Sequence, residues 1–236
     1  AEEDIAEAKK YFERGTYRKE HGDLQGAVED LTEAIRLNPK YAEAYSRRCG
    51  TLINAKEYNL ARQDCQKAIK LNPRYPIAHY NRGLIYEELE KDKKAAIVEY
   101  SEVIRLDKNY GYAFLNRGSL RQGFGDLKGA IEDYTQAINV KQDQSCSACA
   151  YYKRGYARSD QNNYAEAERD YNEALKLNPN FASALEDRGW VRWRLGNWAG
   201  SKADYQKAAA IYKEEGDTAR YQSVQDTLHK SFPPGP

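Results

Sequence analysis

Cys146 and Cys149, in the run Cys-Ser-Ala-Cys, have the two-residue spacing at which a thiol pair can cycle between dithiol and disulfide. They fall near the predicted start of a helix, where the helix dipole lowers a thiol pKa and makes a thiolate available. No alternating strand and helix pattern surrounds them, so a thioredoxin-like enzyme is not indicated, and a redox-linked role through this pair ranks behind binding. A zinc site needs about four ligands, and no second pair stands at a suitable spacing, so neither a metal nor another cofactor is expected. The three histidines, His21, His79 and His229, have no nucleophile at a readable distance. There is no phosphate loop, and no carboxylate pair stands apart from the regular pattern described next. The chain reads as non-enzymatic.

Charge recurs with more regularity than any catalytic set. An arginine directly precedes a small residue at Arg14, Arg48, Arg82, Arg117, Arg154 and Arg188. Each is followed, about half a repeat later, by an acid: Asp30, Asp64, Glu99, Asp133, Asp170 and Asp204. In an antiparallel helix pair turning midway, the two positions lie at the same height. The expectation is a ladder of arginine–carboxylate pairs stapling helices; the alternative is a row of anion-binding arginines. The matching recurrence of the acids favours the ladder.

The elements that position these residues repeat about every 34 residues. Small residues return in pairs, Gly15/Ala27, Cys49/Ala61, Gly83/Ala96, Gly118/Ala130, Gly155/Ala167 and Gly189/Ser201. An aromatic or apolar residue usually stands four before the first member: Tyr11, Tyr45, Phe114, Tyr151 and Leu185, with His79 as the exception. Four residues after the second come Leu31, Cys65, Tyr100, Tyr134, Tyr171 and Tyr205. Spacings of three and four are helical. Gly22-Asp23, Gly125-Asp126 and Gly196-Asn197 then mark turns, glycine ending one helix and Asp or Asn capping the next. Asn38-Pro39, Asn72-Pro73 and Asn178-Pro179 close three of the units, because proline cannot continue a helix.

With these motifs the chain resembles the tetratricopeptide repeat family, whose unit is a 34-residue helix-turn-helix. The resemblance implies an all-α, right-handed superhelical solenoid of six repeats (8–41, 42–75, 76–110, 111–144, 148–181 and 182–215), a capping helix over 217–230 and a flexible tail over 231–236. One extra residue falls in the turn near Glu90–Asp92, and Ser145-Cys146-Ser147 is inserted before the fifth repeat. Cys49 and Cys65 take positions where the family places a small residue and a core aromatic. They read as buried small hydrophobes, with a disulfide left open by their facing positions.

The resemblance further implies a concave surface formed by the first helix of each repeat, able to hold an extended peptide. Asn81 and Asn116 occupy the place from which an asparagine ladder grips peptide backbone in some members. An amide side chain suits that role because it both donates and accepts. Arg47 and Lys153 flank them and favour an acidic or C-terminal segment, while Glu13 and Asp187 at the ends oppose long acidic ones. Tyr80, Tyr112, Tyr152, Tyr156, Trp190 and Trp193 supply aromatic side pockets or inter-repeat core. The chaperone-tail clamp of some relatives has no matching window, since Phe12 and Thr16, Ser46 and Gly50, Tyr80 and Leu84, and Leu115 and Ser119 stand where Lys and Asn are required. No tight binding to acidic chaperone C-termini is expected.

A formal net charge of +1 in 236 residues, with no long run of like charge, argues against a nucleic-acid binder. No apolar stretch reaches the length of a membrane span, so no membrane insertion is expected. The chain starts with Ala1 and has no methionine, which suggests a processed or trimmed product; an exported, periplasmic or lumenal protein fits that start. Four free thiols in a reducing cytoplasm fit the cysteines slightly better. The function expected is an adaptor or scaffold that binds a protein or peptide partner in its groove. The alternative is a structural or assembly factor that self-associates through its terminal helices into a homo-oligomer.

Overall fold

The computed structural model describes residues 2–232, and all regular structure among them is helical. Residues 233–236, most of the expected tail, lie outside the described residues. The chain divides between Lys108 and Asn109 into two compact units. Unit 1 contains α1 (Glu2–Glu20), α2 (Leu24–Leu37), α3 (Ala42–Asn54), α4 (Tyr58–Leu71), α5 (Pro76–Ile85) and α6 (Lys93–Leu106). Unit 2 contains α7 (Gly111–Gly123), α8 (Leu127–Val140), α9 (Gln144–Asp160), α10 (Tyr164–Leu177), α11 (Ala182–Arg194), α12 (Trp198–Glu214) and α13 (Thr218–Ser231). Within each unit odd and even helices pack as successive pairs, and each pair packs on the next.

The turns follow from local chemistry. Gly22, Gly125 and Gly196 have φ of 84°, 83° and 78°, the left-handed region where a Cβ is penalised. The next residue caps the following helix: Asp23 Oδ1 accepts from Gly26 N at 2.9 Å, Asp126 Oδ1 from Gly129 N at 2.9 Å, and Asn197 Oδ1 from Gly200 N at 3.0 Å. At the Asn-Pro closures the asparagine side chain turns the chain. Asn38, Asn72 and Asn178 accept from the backbone N–H two residues on at 3.1–3.2 Å.

Small residues let the helices meet. Ala27, Ala61, Ala96, Ala130 and Ala167 are all fully buried. A Cβ built on Gly83, Gly118 or Gly155 would lie 2.6, 2.8 or 3.0 Å from a ring carbon of Tyr100, Tyr134 or Tyr171. Each tyrosine ring therefore lies on a glycine backbone. Burying one such ring contributes on the order of 4–6 kcal/mol before the entropy of ordering it.

Both irregular joints are absorbed inside helices. After Ile85 the chain widens into a single π-helical turn, Tyr86–Glu90, which follows directly on α5 and takes up the extra residue. Ser145-Cys146-Ser147 becomes the first turn of α9, capped by Asp143 Oδ1 accepting from Cys146 N at 2.7 Å. At the other end Val224 of α13 is buried against Leu185, Tyr205 and Tyr212, with Tyr221 and Leu228 packed beside it.

Candidate functional site

The structure brings each arginine onto its acid. Nε donates to a carboxylate oxygen in Arg14–Asp30 (2.7 Å), Arg48–Asp64 (2.7 Å), Arg117–Asp133 (3.0 Å), Arg154–Asp170 (3.0 Å) and Arg188–Asp204 (2.9 Å). In these five pairs Nη2 reaches the second oxygen, making a two-pronged fork. The acids are buried, whereas Arg14 stays half-exposed and the others are largely covered. A second arginine, one helical turn on, shares the acid at Arg18–Asp30 (3.2 Å), Arg121–Asp133 (3.0 Å), Arg158–Asp170 (2.8 Å) and Arg192–Asp204 (3.0 Å). Arginine at i and i+4 was the sequence signal for this partner, and the spacing argument above did not use it. The free prong of the first arginine reaches back to the preceding repeat: Arg48 to Thr32 Oγ1 (2.9 Å), Arg154 to Thr135 Oγ1 (3.1 Å) and Arg188 to Asn172 Oδ1 (2.7 Å). The arginines thus hold neighbouring repeats as well as helix pairs.

The third repeat solves the same problem differently. Arg82 donates through Nη2 to Glu99 Oε1 at 2.6 Å, and its buried Nε has no hydrogen-bond partner among the described residues. His79 Nδ1 takes the other oxygen at 2.9 Å, and its Nε2 lies 2.9 Å from Pro73 O. Both ring nitrogens face acceptors, the arrangement that suits imidazolium. The Glu99 bond raises the pKa of His79 against its burial. Burial pushes Glu99 up, but His79 and Arg82 outweigh it and hold the carboxyl below its ordinary value.

In unit 1 the first-helix face carries Asn81, Arg47 and Tyr80. Asn81 is buried, and its Nδ2 donates to Ser46 O at 3.2 Å, tying the third repeat to the second. Arg47 lies 6.0 Å from the Phe12 ring centroid, and Tyr80 packs 5.7 Å from Tyr100. In unit 2 Asn116 lies half-buried on α7 and Lys153 half-buried on α9. Tyr112 donates to Asp143 Oδ2 at 2.9 Å, and burial together with that carboxylate pushes its phenol up to about 12. Tyr152 packs on Phe181 at 4.7 Å and donates to Asp187 Oδ2 at 2.9 Å. Burial pushes Asp187 up to about 6 despite that bond. Tyr156, Trp190 and Trp193 remain 45%, 40% and 39% exposed. A hollow of about 240 Å³ opens beside Tyr156, between Ser119, Gln122, Tyr134, Tyr152 and Lys153.

The cysteines correct the sequence reading. Cys49 and Cys65 form a disulfide, whereas Cys146 and Cys149 are free. Cys146 is buried, and burial followed by Asp143 pushes its thiol up to about 11; burial likewise raises Cys149. Desolvation and the capping carboxylate override the helix dipole, so this pair lacks the low pKa of a reactive dithiol. An oxidised Cys49–Cys65 pair also removes the argument from four free thiols to a reducing cytoplasm. Among the described residues no cluster of His, Cys, Asp or Glu could hold a metal ion, and no helix is long and apolar enough to cross a membrane.

Comparison with known proteins gives the same repeat. Residues 77–110 and 148–181 match family models described as tetratricopeptide repeat, and residues 53–89 match one described as TPR repeat. The human protein O-mannosyl-transferase TMTC3 is 24% identical over 168 residues, which cover 71% of this chain and 18% of that protein. The chain thus spans less than a fifth of that relative's length. The structure of PilW, a type IV pilus biogenesis factor, superposes with a TM-score of 0.78 at 14% identity, covering 92% of this chain and 98% of PilW. YrrB, described as a TPR protein with an unusual peptide-binding site, superposes with a TM-score of 0.64 at 20% identity, covering 84% of this chain and 99% of YrrB. Both likenesses are of fold.

Proposed function

Because this chain is a tetratricopeptide repeat protein, from a family whose members are in general interaction scaffolds, we propose that it is a non-catalytic adaptor whose first-helix faces hold an extended segment of a partner protein. The observation that carries this reading is the exposure of Tyr156, Trp190 and Trp193 on the first helices of two neighbouring repeats, α9 and α11. Tyrosine and tryptophan dominate the energetics of binding surfaces, and a soluble fold gains little by leaving them in water. The hollow beside Tyr156 gives one aliphatic or aromatic side chain a place to enter. The peptide-binding site in the description of YrrB accords with this use of the fold.

A displayed library of random dodecapeptides, selected on the whole chain and counter-selected on Trp190→Ala/Trp193→Ala, tests the proposal. Peptides that bind the parent and lose at least tenfold in affinity to a variant with unchanged circular dichroism support it. A library yielding no peptide above background, or only peptides indifferent to Tyr156, Trp190 and Trp193, removes this face from consideration.

A further inference from the structure

We infer that the α11–α12 turn of unit 2 docks on the surface of an anionic lipid bilayer, with Trp193, Leu195 and Trp198 seated among the headgroups and Arg194 and Lys202 on lipid phosphates. This surface is separate from the peptide-binding reading above, which rests on Tyr156, Trp190 and Trp193; only Trp193 is common to both.

All three tryptophans of the chain stand at this one turn. Trp198 is 54% and Leu195 45% exposed, with Trp190 and Trp193 close behind. Trp193 packs edge-to-face on Trp198 with ring centroids 5.6 Å apart, and Trp190 does the same on Tyr164 at 5.5 Å. These rings therefore lean on one another at the surface instead of entering the core. Among the described residues no indole N–H of the three meets an acceptor. The hollow beside Tyr156 is lined from α7, α8 and α9 and by none of these residues. Large rings gathered in water mark an interaction surface. An indole joins an apolar body to a polar N–H, and a bilayer surface satisfies both, the body at the acyl boundary and the N–H on a headgroup oxygen.

Charge selects the kind of surface. From Arg188 to Ala203 the chain carries four cations, Arg188, Arg192, Arg194 and Lys202, and no acid. Arg188 and Arg192 are taken up internally by Asp204 at 2.7 and 3.0 Å, and Arg192 also by Glu168 at 2.7 Å. Arg194 and Lys202 meet no carboxylate among the described residues. Arg194 lies instead over the rings of Tyr164 and Trp190, 4.8 and 5.3 Å from their centroids, a stacking that leaves the edge of the guanidinium free for phosphate. Lys202 follows Trp198 by one helical turn and so shares its side of α12. Exposed Trp and Leu with unpaired cations beside them are the composition that lies in the plane of a bilayer, apolar rings at the acyl boundary and cations on the anionic headgroups. Standing on a turn, outside the hollow, they suit a fluid array of phosphates better than one fixed acid of a protein partner. No described helix is long and apolar enough to cross a membrane, so the docking is shallow.

Because every tryptophan of the chain lies at this turn, intrinsic fluorescence reports on it directly. The whole chain is titrated with vesicles of phosphatidylcholine alone and with vesicles of equal parts phosphatidylcholine and phosphatidylglycerol, read by tryptophan emission and by co-sedimentation. The mixed vesicles are expected to bind at least tenfold more tightly, with a blue-shifted emission, and added salt is expected to weaken that binding. Leu195→Ala/Trp198→Ala is expected to lose at least tenfold on the mixed vesicles. Arg194→Gln/Lys202→Gln, which keeps every ring, is expected to lose most of the preference for them and decides the matter even where the first variant fails to fold. Melting curves check both. No co-sedimentation, equal binding to the two kinds of vesicle, binding that leaves the emission unmoved, or binding that Leu195→Ala/Trp198→Ala retains in full each overturns the inference. So does a selected peptide that loses tenfold in Leu195→Ala/Trp198→Ala while vesicles leave the emission unmoved, since the turn then belongs to a protein partner. A display selection that fails on Tyr156, Trp190 and Trp193 removes the peptide reading and leaves this test standing.

Discussion

Cys49 and Cys65 are joined across α3 and α4, Cα to Cα 5.6 Å, at the two places where the third to sixth repeats set a tyrosine ring on a glycine. The second repeat has exchanged a packed ring for a covalent bond. Closing a loop of this length stabilises by about 3 kcal/mol through the unfolded state. Urea denaturation with and without dithiothreitol should show a loss of about 2–4 kcal/mol on reduction. Cys49→Gly/Cys65→Tyr, which restores the packing used at Gly83 and Tyr100, should lose less than Cys49→Ser/Cys65→Ser. Equal losses in the two double variants would show that the site no longer accommodates a ring.

Asp170 is nearly inaccessible and is held by Arg154 and Arg158. Asp170→Asn leaves two covered guanidinium groups facing a neutral amide, and should cost about 3–5 kcal/mol. Removing Glu102, whose partner Arg105 is mostly in water, should cost under about 1 kcal/mol. Urea midpoints of the two variants check the contrast. Similar values would mean that the ladder carries no more than surface pairs do.

The His79–Glu99 pair makes stability depend on pH in a defined window. His79 has a folded pKa above 6.5, so its contribution is complete below 6.5 and is lost as pH rises through the folded value. Glu99 has a folded pKa below 4.5, so its contribution is complete above 4.5 and is lost as pH falls through the folded value. Between about 4.5 and 6.5 both are present. His79→Phe should therefore destabilise more at pH 6 than at pH 9. A difference from the parent that is flat across this range would sink the account.

Asp187 works in the opposite direction. Its folded pKa of about 6 lies above the unfolded value, so the folded state prefers the neutral acid. Lowering the pH from 7 towards 4 should add stability at this residue, and that gain disappears as pH rises through about 6. Asp187→Asn should be more favourable relative to the parent at pH 7.5 than at pH 4.5. Thermal melts at the two pH values decide it.

Ala130 is fully buried where α7 crosses α8. Ala130→Leu should overpack that crossing by about 1–3 kcal/mol, seen as a lowered urea midpoint. A neutral result would mean that Tyr134 can leave its place on Gly118.

Much of this protein was legible in the residues alone because its unit is local. Helix period, Gly-Asp turns and Asn-Pro closures are set by neighbours within a few positions, and a period of about 34 residues multiplies each weak signal. The arginine–acid register was also readable, since two helices turning at a known place align positions by geometry. Tertiary structure decided what depends on which side chains share a small volume. The thiols near a helix start, Cys146 and Cys149, stood where a dipole lowers a thiol pKa until burial and Asp143 were seen to act on them, while the pair that bonds, Cys49 and Cys65, read as buried core with a disulfide only left open. Asn81 read as a hand held out to a peptide, yet one of its protons is already given to Ser46. Lys19 did not stand out from the other surface lysines, because nothing in its own helix tells that Gly50 and Asn81 will come to rest beside it. Spacing along the chain encodes height on a helix; only packing of three helices encodes what meets over a missing side chain.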